Sequence, residues 1–349
     1  MKVQDDLKGI KLAELKKILI EQGYQSFRAQ QIFHWIYRKN ITSFQEMLNI
    51  PKKLREQLGS IFILIEIKCL KNQQSTDGSE KFLFQLPDKD YIETVLIRGN
   101  NRNTLCLSSQ VGCRWNCLFC ASGKGGFKRN LLPGEIIEQI LSVQRITGET
   151  IQNIVFMGMG EPFDNYAHVT RAIQIINEKQ GLNIGARKIT VSTCGIIPAI
   201  IQFIEFPLQA ELSVSLHAAD EKTRTQLMPV NKKYPLKRLI ATCRLYTEKK
   251  NRQITFEYLM LKGINDSAQQ ASKLSEMISD FEAKVNLIIY NPVNSFNNLF
   301  PSDKKTINIF QNILEAKHIP VTTRYSRGQD IDAACGQLKS NYLNKEHDY

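Results

Sequence analysis

The sequence predicts an α/β fold: a partial barrel of parallel strands with helices outside, preceded by a small helical module and a short antiparallel β linker. Three observations predict it. The hydrophobic period changes from helical to alternating near residue 59. Apolar strands then alternate with helical stretches from about residue 103. The glycine-rich and polar motifs fall where those strands end. With 349 residues the chain can hold one large domain and a smaller one, and 42% hydrophobic content is ordinary for a protein with a real core.

Residues 1–58 read as helical, since "LAELKKILIEQG" and "RAQQIFHWIYRKN" carry apolar residues at helical spacing and Pro51 suits a first helical position. His34, among Phe33, Trp35 and Ile36, reads as a packed side chain rather than a ligand. Residues 59–98 change period: "IFILIEIKCL", "EKFLFQL" and "YIETVLIR" are short strands split by polar turns. They are expected to form a small antiparallel sheet, with Cys69 as a packing residue. Residues 99–330 alternate. The strands are "TLCLSS", "NIVFMGMG", "KITVST", "ELSVSLH", "ITFEYLML" and "VNLIIYNP", with helices such as "PGEIIEQILSVQRI" and "YAHVTRAIQIINEK" between them and a last strand "PVTTRYS". A C-terminal segment, 331–349, follows.

Parallel barrels place their active sites at the carboxyl ends of the strands. Here a cysteine loop follows the first strand, "GMGEP" the second, "STCG" the third and "SLH" the fourth, while Asn291 in "YNP" marks another end. The formal charge of +12 favours a polyanionic partner, most often nucleic acid; a merely basic soluble protein is the plainer alternative. Basic residues cluster at 126–130, 231–238 and 248–252, and the first of these clusters is suited to tracking phosphate. No apolar run reaches the ~18 residues of a membrane helix, and the first residues lack the apolar stretch of a secretory signal. Exposed thiol ligands need a reducing compartment, so the expected location is the cytoplasm, away from membranes.

Three of the eight cysteines lie within "CRWNCLFC", residues 113–120, at offsets of zero, four and seven. Those offsets share one face of a helix, but Gly112, Asn116 and the following "ASGKGG" oppose a helix. Structural zinc uses four closed ligands, usually two CxxC pairs. No second pair exists, so zinc would need Cys106 or a distant residue. Three thiolates suit an iron–sulfur cubane with one iron left open. Gly158 and Gly160 allow close backbone approach to a ligand, and Glu161 suits an ammonium, although a tight turn alone accounts for these residues equally. Ser192, Ser215 and His217 offer hydroxyls and an imidazole at strand ends. Read alone, Cys335 is a small packed residue, Glu93 a solvated strand residue and Cys106 a core cysteine.

Taken together, CxxxCxxC, "SSQVGC", "MGMGEP", "VNKKYPL" and above all "RGQDIDAACGQL" (327–338) resemble the RlmN/Cfr family of radical SAM adenosine methyltransferases, over essentially the whole chain. The resemblance implies a partial (β/α)6 radical SAM barrel and an RNA-binding role for the N-terminal module. It implies one [4Fe-4S] cluster on Cys113, Cys117 and Cys120. It also implies S-adenosyl-L-methionine, two molecules per turnover, held by Gly160, Glu161, Ser192, Ser215, Leu216, His217 and Asn291. Cys335 would accept a methyl from one molecule. A radical made from the second would take hydrogen from that methyl, and the methylene radical would add to adenine as a covalent RNA adduct. Glu93 would take the proton from the adenine carbon. Cys106 would then release the product by forming a transient Cys106–Cys335 disulfide. The implied substrates are an adenosine in the peptidyl-transferase centre of 23S rRNA and the adenosine 3′ of the anticodon in some tRNAs, methylated at carbon 2. An external electron donor such as flavodoxin and a monomeric state are also implied. A Cfr-like methyltransferase acting at carbon 8, and a non-catalytic zinc-stabilised RNA-binding protein, remain as alternatives. Cys194 and Cys243 match no role in that family and read as structural.

Overall fold

One ten-stranded sheet runs through the protein. In the computed structural model, which describes residues 5–100, 102–292 and 298–338, its order starts at Val321–Arg324. It continues through Ala283–Ile289, Ile254–Met260, Glu211–Ser215, Ile189–Thr193, Asn153–Phe156 and Asn103–Cys106. Tyr91–Arg98, Glu80–Gln85 and Lys68–Gln74 complete it. The first seven are parallel throughout. The last three form an antiparallel meander.

The expected small antiparallel sheet is this meander, and it is continuous with the parallel strands. The meander is hydrogen-bonded directly to the barrel, with Leu96 opposite Leu105, Leu105 opposite Ile154, and Ile154 opposite Ile189. All four side chains are buried. This row of cross-strand apolar neighbours makes the sheet continuous, because each buried aliphatic is worth roughly 1.5–3 kcal/mol. The last strand expected in "PVTTRYS" is Val321–Arg324, which adds a seventh parallel strand beside the six.

Helices cover the outside. Helix Pro133–Thr147 shows why they form where they do. It has Pro at its first position, a Glu135 carboxylate that accepts the Leu132 N–H at 2.8 Å, and Gly148 in the left-handed region (φ 70°) at its end. The N-terminal module comprises Leu12–Glu21, Phe27–Tyr37 and Lys52–Ile61, packed through Leu15, Leu19, Phe33, Ile36, Leu54 and Leu58. Pro51 precedes the third helix as its cap rather than opening it. His34 is exposed, not packed, because Ile32, Phe33, Ile36 and Tyr37 form the buried face of its helix. Cys69 is half-buried against the core and Cys243 fully buried. No helix among the described residues is long and apolar enough to cross a membrane.

Candidate functional site

The carboxyl ends of the parallel strands open onto a cavity of about 490 Å³. The cysteine loop forms one wall. It is not helical. A short hairpin, Gln110–Gly112 with Phe127–Asn130, closes its base. Gly112 is required there: its φ is +73°, and a Cβ would lie 1.8 Å from the Gly126 carbonyl oxygen. Asn116 also takes a positive φ of 44°, which ends the helical-face reading of the three cysteines. Side chains and main chain then pin the loop. Trp115 Nε1 donates to Asp164 Oδ2 at 2.7 Å, the Leu118 N–H donates to the Leu227 carbonyl at 2.9 Å, and the Ala121 N–H donates to the Gly336 carbonyl at 2.7 Å.

Cys113, Cys117 and Cys120 all line the cavity. As free thiols they are held neutral chiefly by burial, which pushes Cys113 up to about 12 and the other two upward. Among the described residues no three Cys, His, Asp or Glu side chains gather tightly enough to chelate a single ion. The donor chemistry fits a cubane: three soft thiols, spaced along one loop, can each bind a different iron. Cys106 sits at the end of its own strand and feels the Cys335 thiol rather than the loop cysteines.

The opposite wall suits the polar end of an amino acid. The Glu161 carboxylate is buried. It accepts the Cys194 N–H at 2.7 Å and the Phe163 N–H at 2.9 Å, yet desolvation still outweighs these bonds and raises it to about 6. An incoming ammonium would supply the missing compensation. Gly160 (φ +97°) lets the chain pass Gln110, whose side chain a Cβ would meet at 2.5 Å. His217 is buried with a positive φ of 56°, and burial followed by the field of Arg224 depresses it to about 3. Its Nδ1 accepts the Leu259 N–H at 2.9 Å, so the neutral ring carries its proton on Nε2. Ser192 and Ser215 line the same space.

Two expected contributors lie differently. Leu216 is fully buried in the core and its N–H is used by the Glu257 carbonyl, so its side chain is not in the cavity lining. Asn291 is buried beside the cavity with its amide on Ser326 Oγ at 2.7 Å, tying a strand end to the C-terminal segment.

Cys106 and Cys335 both line the cavity. All eight cysteines are free thiols, so no disulfide is present. Burial raises both, Cys335 to about 11, although Cys335 still presents surface to the cavity. Glu93 is buried rather than solvated, and Lys81 Nζ lies 3.2 Å from its Oε1. Glu93 itself is outside the cavity lining, two residues from Val95, which is in it. Lys81 also donates to the Asp332 carbonyl at 3.1 Å, three residues before Cys335.

Sequence reasoning passed over Lys81, Arg224 and Glu257. Glu257 lines the cavity, buried and accepting from Ser213 Oγ and Asn286 Nδ2, both at 2.8 Å. The only sequence signal was a charge inside an apolar strand, "ITFEYLML". The basic stretch at 126–130 proves largely neutralised: Lys128 pairs with Asp90, and Arg129 with Asp88 and Glu135. It is not a free phosphate track.

Residues 107–274 match the Radical SAM superfamily model, and residues 5–64 match the ribosomal RNA large subunit methyltransferase N-terminal domain. A protein from Geobacillus kaustophilus described as a probable dual-specificity RNA methyltransferase RlmN is 47% identical over 97% of this chain and 93% of its own length. One of the same description from Staphylococcus carnosus is 45% identical over 95% and 92%. The crystal structure of a radical SAM methyltransferase from Sphaerobacter thermophilus superposes with a TM-score of 0.91 at 43% identity, covering 96% of this chain and 99% of that one. On these two family matches, full-length relatives and a superposable fold, the chain belongs to the RlmN family of radical SAM RNA methyltransferases.

Proposed function

We propose that this protein methylates carbon 2 of adenosine in the peptidyl-transferase centre of 23S rRNA and in certain tRNAs, through a methyl carried on Cys335. One observation carries the reading. A single cavity is lined at once by the three-cysteine loop, by Glu161 and His217, and by both Cys106 and Cys335. Cys113, Cys117 and Cys120 would hold a [4Fe-4S] cluster. Glu161, Gly160, Ser192, Ser215 and His217, with main chain at Leu216 and the amide of Asn291, would hold S-adenosyl-L-methionine. When bound, these groups would supply a transferable methyl and, with one electron from an external donor such as flavodoxin, radical chemistry.

The chain's own residues do the rest. The Cys335 thiol must lose its proton to become a methyl acceptor, and its raised value makes that demanding without a base. Lys81 holds both the Glu93 carboxylate and the Cys335 segment, so the base and the methyl carrier share one buried cation. Glu93 takes the adenine proton. The Cys106 thiolate attacks the Cys335 sulfur once that sulfur bridges to the base. A Cys106–Cys335 disulfide forms as the methylated adenine leaves, and two electrons from outside restore the thiols. Residues 1–58 would grip RNA, residues 59–98 link, 99–330 form the barrel and 331–349 carry Cys335. Residues 339–349 lie outside the described residues. A monomer acting in the cytoplasm suits this reading.

The test uses anaerobically reconstituted protein and substrate RNA. Cys335→Ala should give neither adduct nor product. Cys106→Ala should accumulate a nuclease-sensitive protein–RNA species on a denaturing gel. Normal turnover by Cys106→Ala would overturn the thiol assignment. Mass spectrometry of the product that shows 8-methyladenosine would replace carbon 2 by carbon 8.

A further inference from the structure

Arg224 is among the most deeply buried side chains of the protein, with 0% exposure. Its hydrogen bonds go only to neutral groups. Nη2 donates to the Cys194 carbonyl at 2.7 Å and to the Ser215 carbonyl at 3.3 Å, and Nη1 to Asn231 Oδ1 at 2.9 Å. Nε is buried without a partner. Among the described residues no carboxylate makes a direct ion pair with it; the exposed Glu221 is reached only through Asn231, whose Nδ2 donates to Glu221 Oε2 at 2.6 Å. A buried cation whose direct partners are all neutral is expensive, and an anion close by would offset that cost.

The cysteine loop is where such an anion would lie. Arg224 sits on the helix Glu221–Leu227, whose last carbonyl receives the Leu118 N–H of the cysteine loop at 2.9 Å. Arg224 also binds the Cys194 carbonyl, and Cys194 lines the same cavity as Cys113, Cys117 and Cys120. A [4Fe-4S] group on three thiolates carries a net charge of −1 when oxidised and −2 when reduced. A fixed positive charge beside it stabilises the reduced form more.

We propose that Arg224 is the resident counter-cation of the three-cysteine loop, a positioning residue that raises the reduction potential of the cluster bound there. This rests on the assignment of Cys113, Cys117 and Cys120 as cluster ligands. Two further features follow from the same contacts. The guanidinium links the main chain at Cys194, whose N–H holds Glu161, to the main chain at Ser215. It therefore also fixes the spacing of two strand ends that face the second ligand. The role needs charge, however, and not only hydrogen bonds, and this separates it from a structural role.

The experiment compares wild type, Arg224→Gln and Arg224→Lys after anaerobic reconstitution. Iron and sulfide are measured first, then the reduced cluster is followed by electron paramagnetic resonance in a mediated dithionite titration. Arg224→Gln keeps a donor and loses the charge. Its reduced-to-oxidised ratio at a fixed poise should fall about tenfold, a midpoint ~59 mV more negative for a one-electron couple. Arg224→Lys should stay close to wild type. A Gln variant that titrates with wild type overturns the inference, whatever its stability. If Arg224→Gln does not fold, the double variant Arg224→Met, Asn231→Leu removes the polar pair together and is read in the same way. Wild-type protein that binds neither iron nor sulfide would instead overturn the cluster assignment, a different failure from an unchanged potential.

Discussion

The two ends of the chain dock on the same barrel by different physics. At the N-terminal end the contacts are buried charges. Lys8 Nζ, wholly inaccessible, lies 2.5 Å from Glu138 Oε2 and donates to the Ile65 carbonyl at 2.6 Å; Glu138 also holds Arg145. Tyr37 donates to the Lys8 carbonyl at 2.8 Å, and Arg171 pairs with Glu14. At the C-terminal end, apart from the buried Lys81 on the Asp332 carbonyl, the contacts are neutral or rim-exposed. The Gly328 N–H reaches Asp77 at 2.7 Å, Asp330 accepts from Ser75 Oγ at 2.5 Å and from the Thr76 N–H at 3.0 Å, and main chain joins Ala121 to Gly336. The first end is fastened as a domain core is fastened. The second is held by replaceable bonds around Cys335, the residue proposed to carry the methyl. Stability should therefore concentrate at one end and activity at the other.

The largest expected effect is on the first end. Lys8→Ala leaves Glu138 buried with one cation fewer and should destabilise the fold by about 3–5 kcal/mol, read as a lower denaturant midpoint. A loss no larger than that of a surface substitution would erase the contrast. At the second end, Asp330→Ala should slow methylation by roughly 10–100-fold, as misplacement of a reacting group does. The thermal midpoint should stay where it was, and a parallel collapse of stability would mean the C-terminal segment is structural after all.

A pH dependence sharpens the same contrast. Asp6 is raised to about 6, mainly by burial, against the N–H groups of Ile65 and Lys8 and the Lys8 charge, with Glu138 adding to the rise. Its Oδ2 has no partner. The folded value lies above the ordinary one of 3.8. Asp6 thus contributes stability that is fully present below that ordinary value and is lost as pH rises through about 6. Urea midpoints at acid and neutral pH should differ less in Asp6→Asn than in wild type. The smallest effect belongs to the exposed pair Lys128–Asp90: Lys128→Ala should change stability by no more than ~1 kcal/mol. Because Lys128 is already paired, RNA affinity should also change little, and a steep loss would restore the phosphate-track reading.

What the sequence revealed follows from period and position. Parallel barrels put function at strand ends, so "GMGEP", "STCG" and "SLH" were placed correctly without any contact being known. The continuity of the meander with the parallel strands was harder, because Leu96, Leu105, Ile154 and Ile189 meet only through register. Arg224 was invisible. A lone arginine in "EKTRTQLMP" reads as a solvated helix residue, since arginine is almost never fully buried unless paired. The basic stretch at 126–130 misled for a related reason. Its partners Asp88 and Asp90 lie about forty residues earlier, in the turn between Glu80–Gln85 and Tyr91–Arg98, and sequence proximity does not reveal such a meeting of two hairpins. His34 failed on helix geometry, since apolar neighbours in sequence lie on different faces of a helix.

The bond between Ala121 and Gly336 has a consequence for how the protein tolerates mutation. Because it joins main chain to main chain, most side-chain changes in the two segments leave it intact. The exception is Gly336 itself. Its φ of +84° lies in the left-handed region, and a Cβ would stand 3.0 Å from the Phe119 carbonyl oxygen, one residue before Cys120. A single methyl group at position 336 would thus press at once on the strand of chain that presents the third loop cysteine and on the one that presents Cys335. In a saturation library, position 336 should be as intolerant as the cysteines themselves, although it carries no functional group.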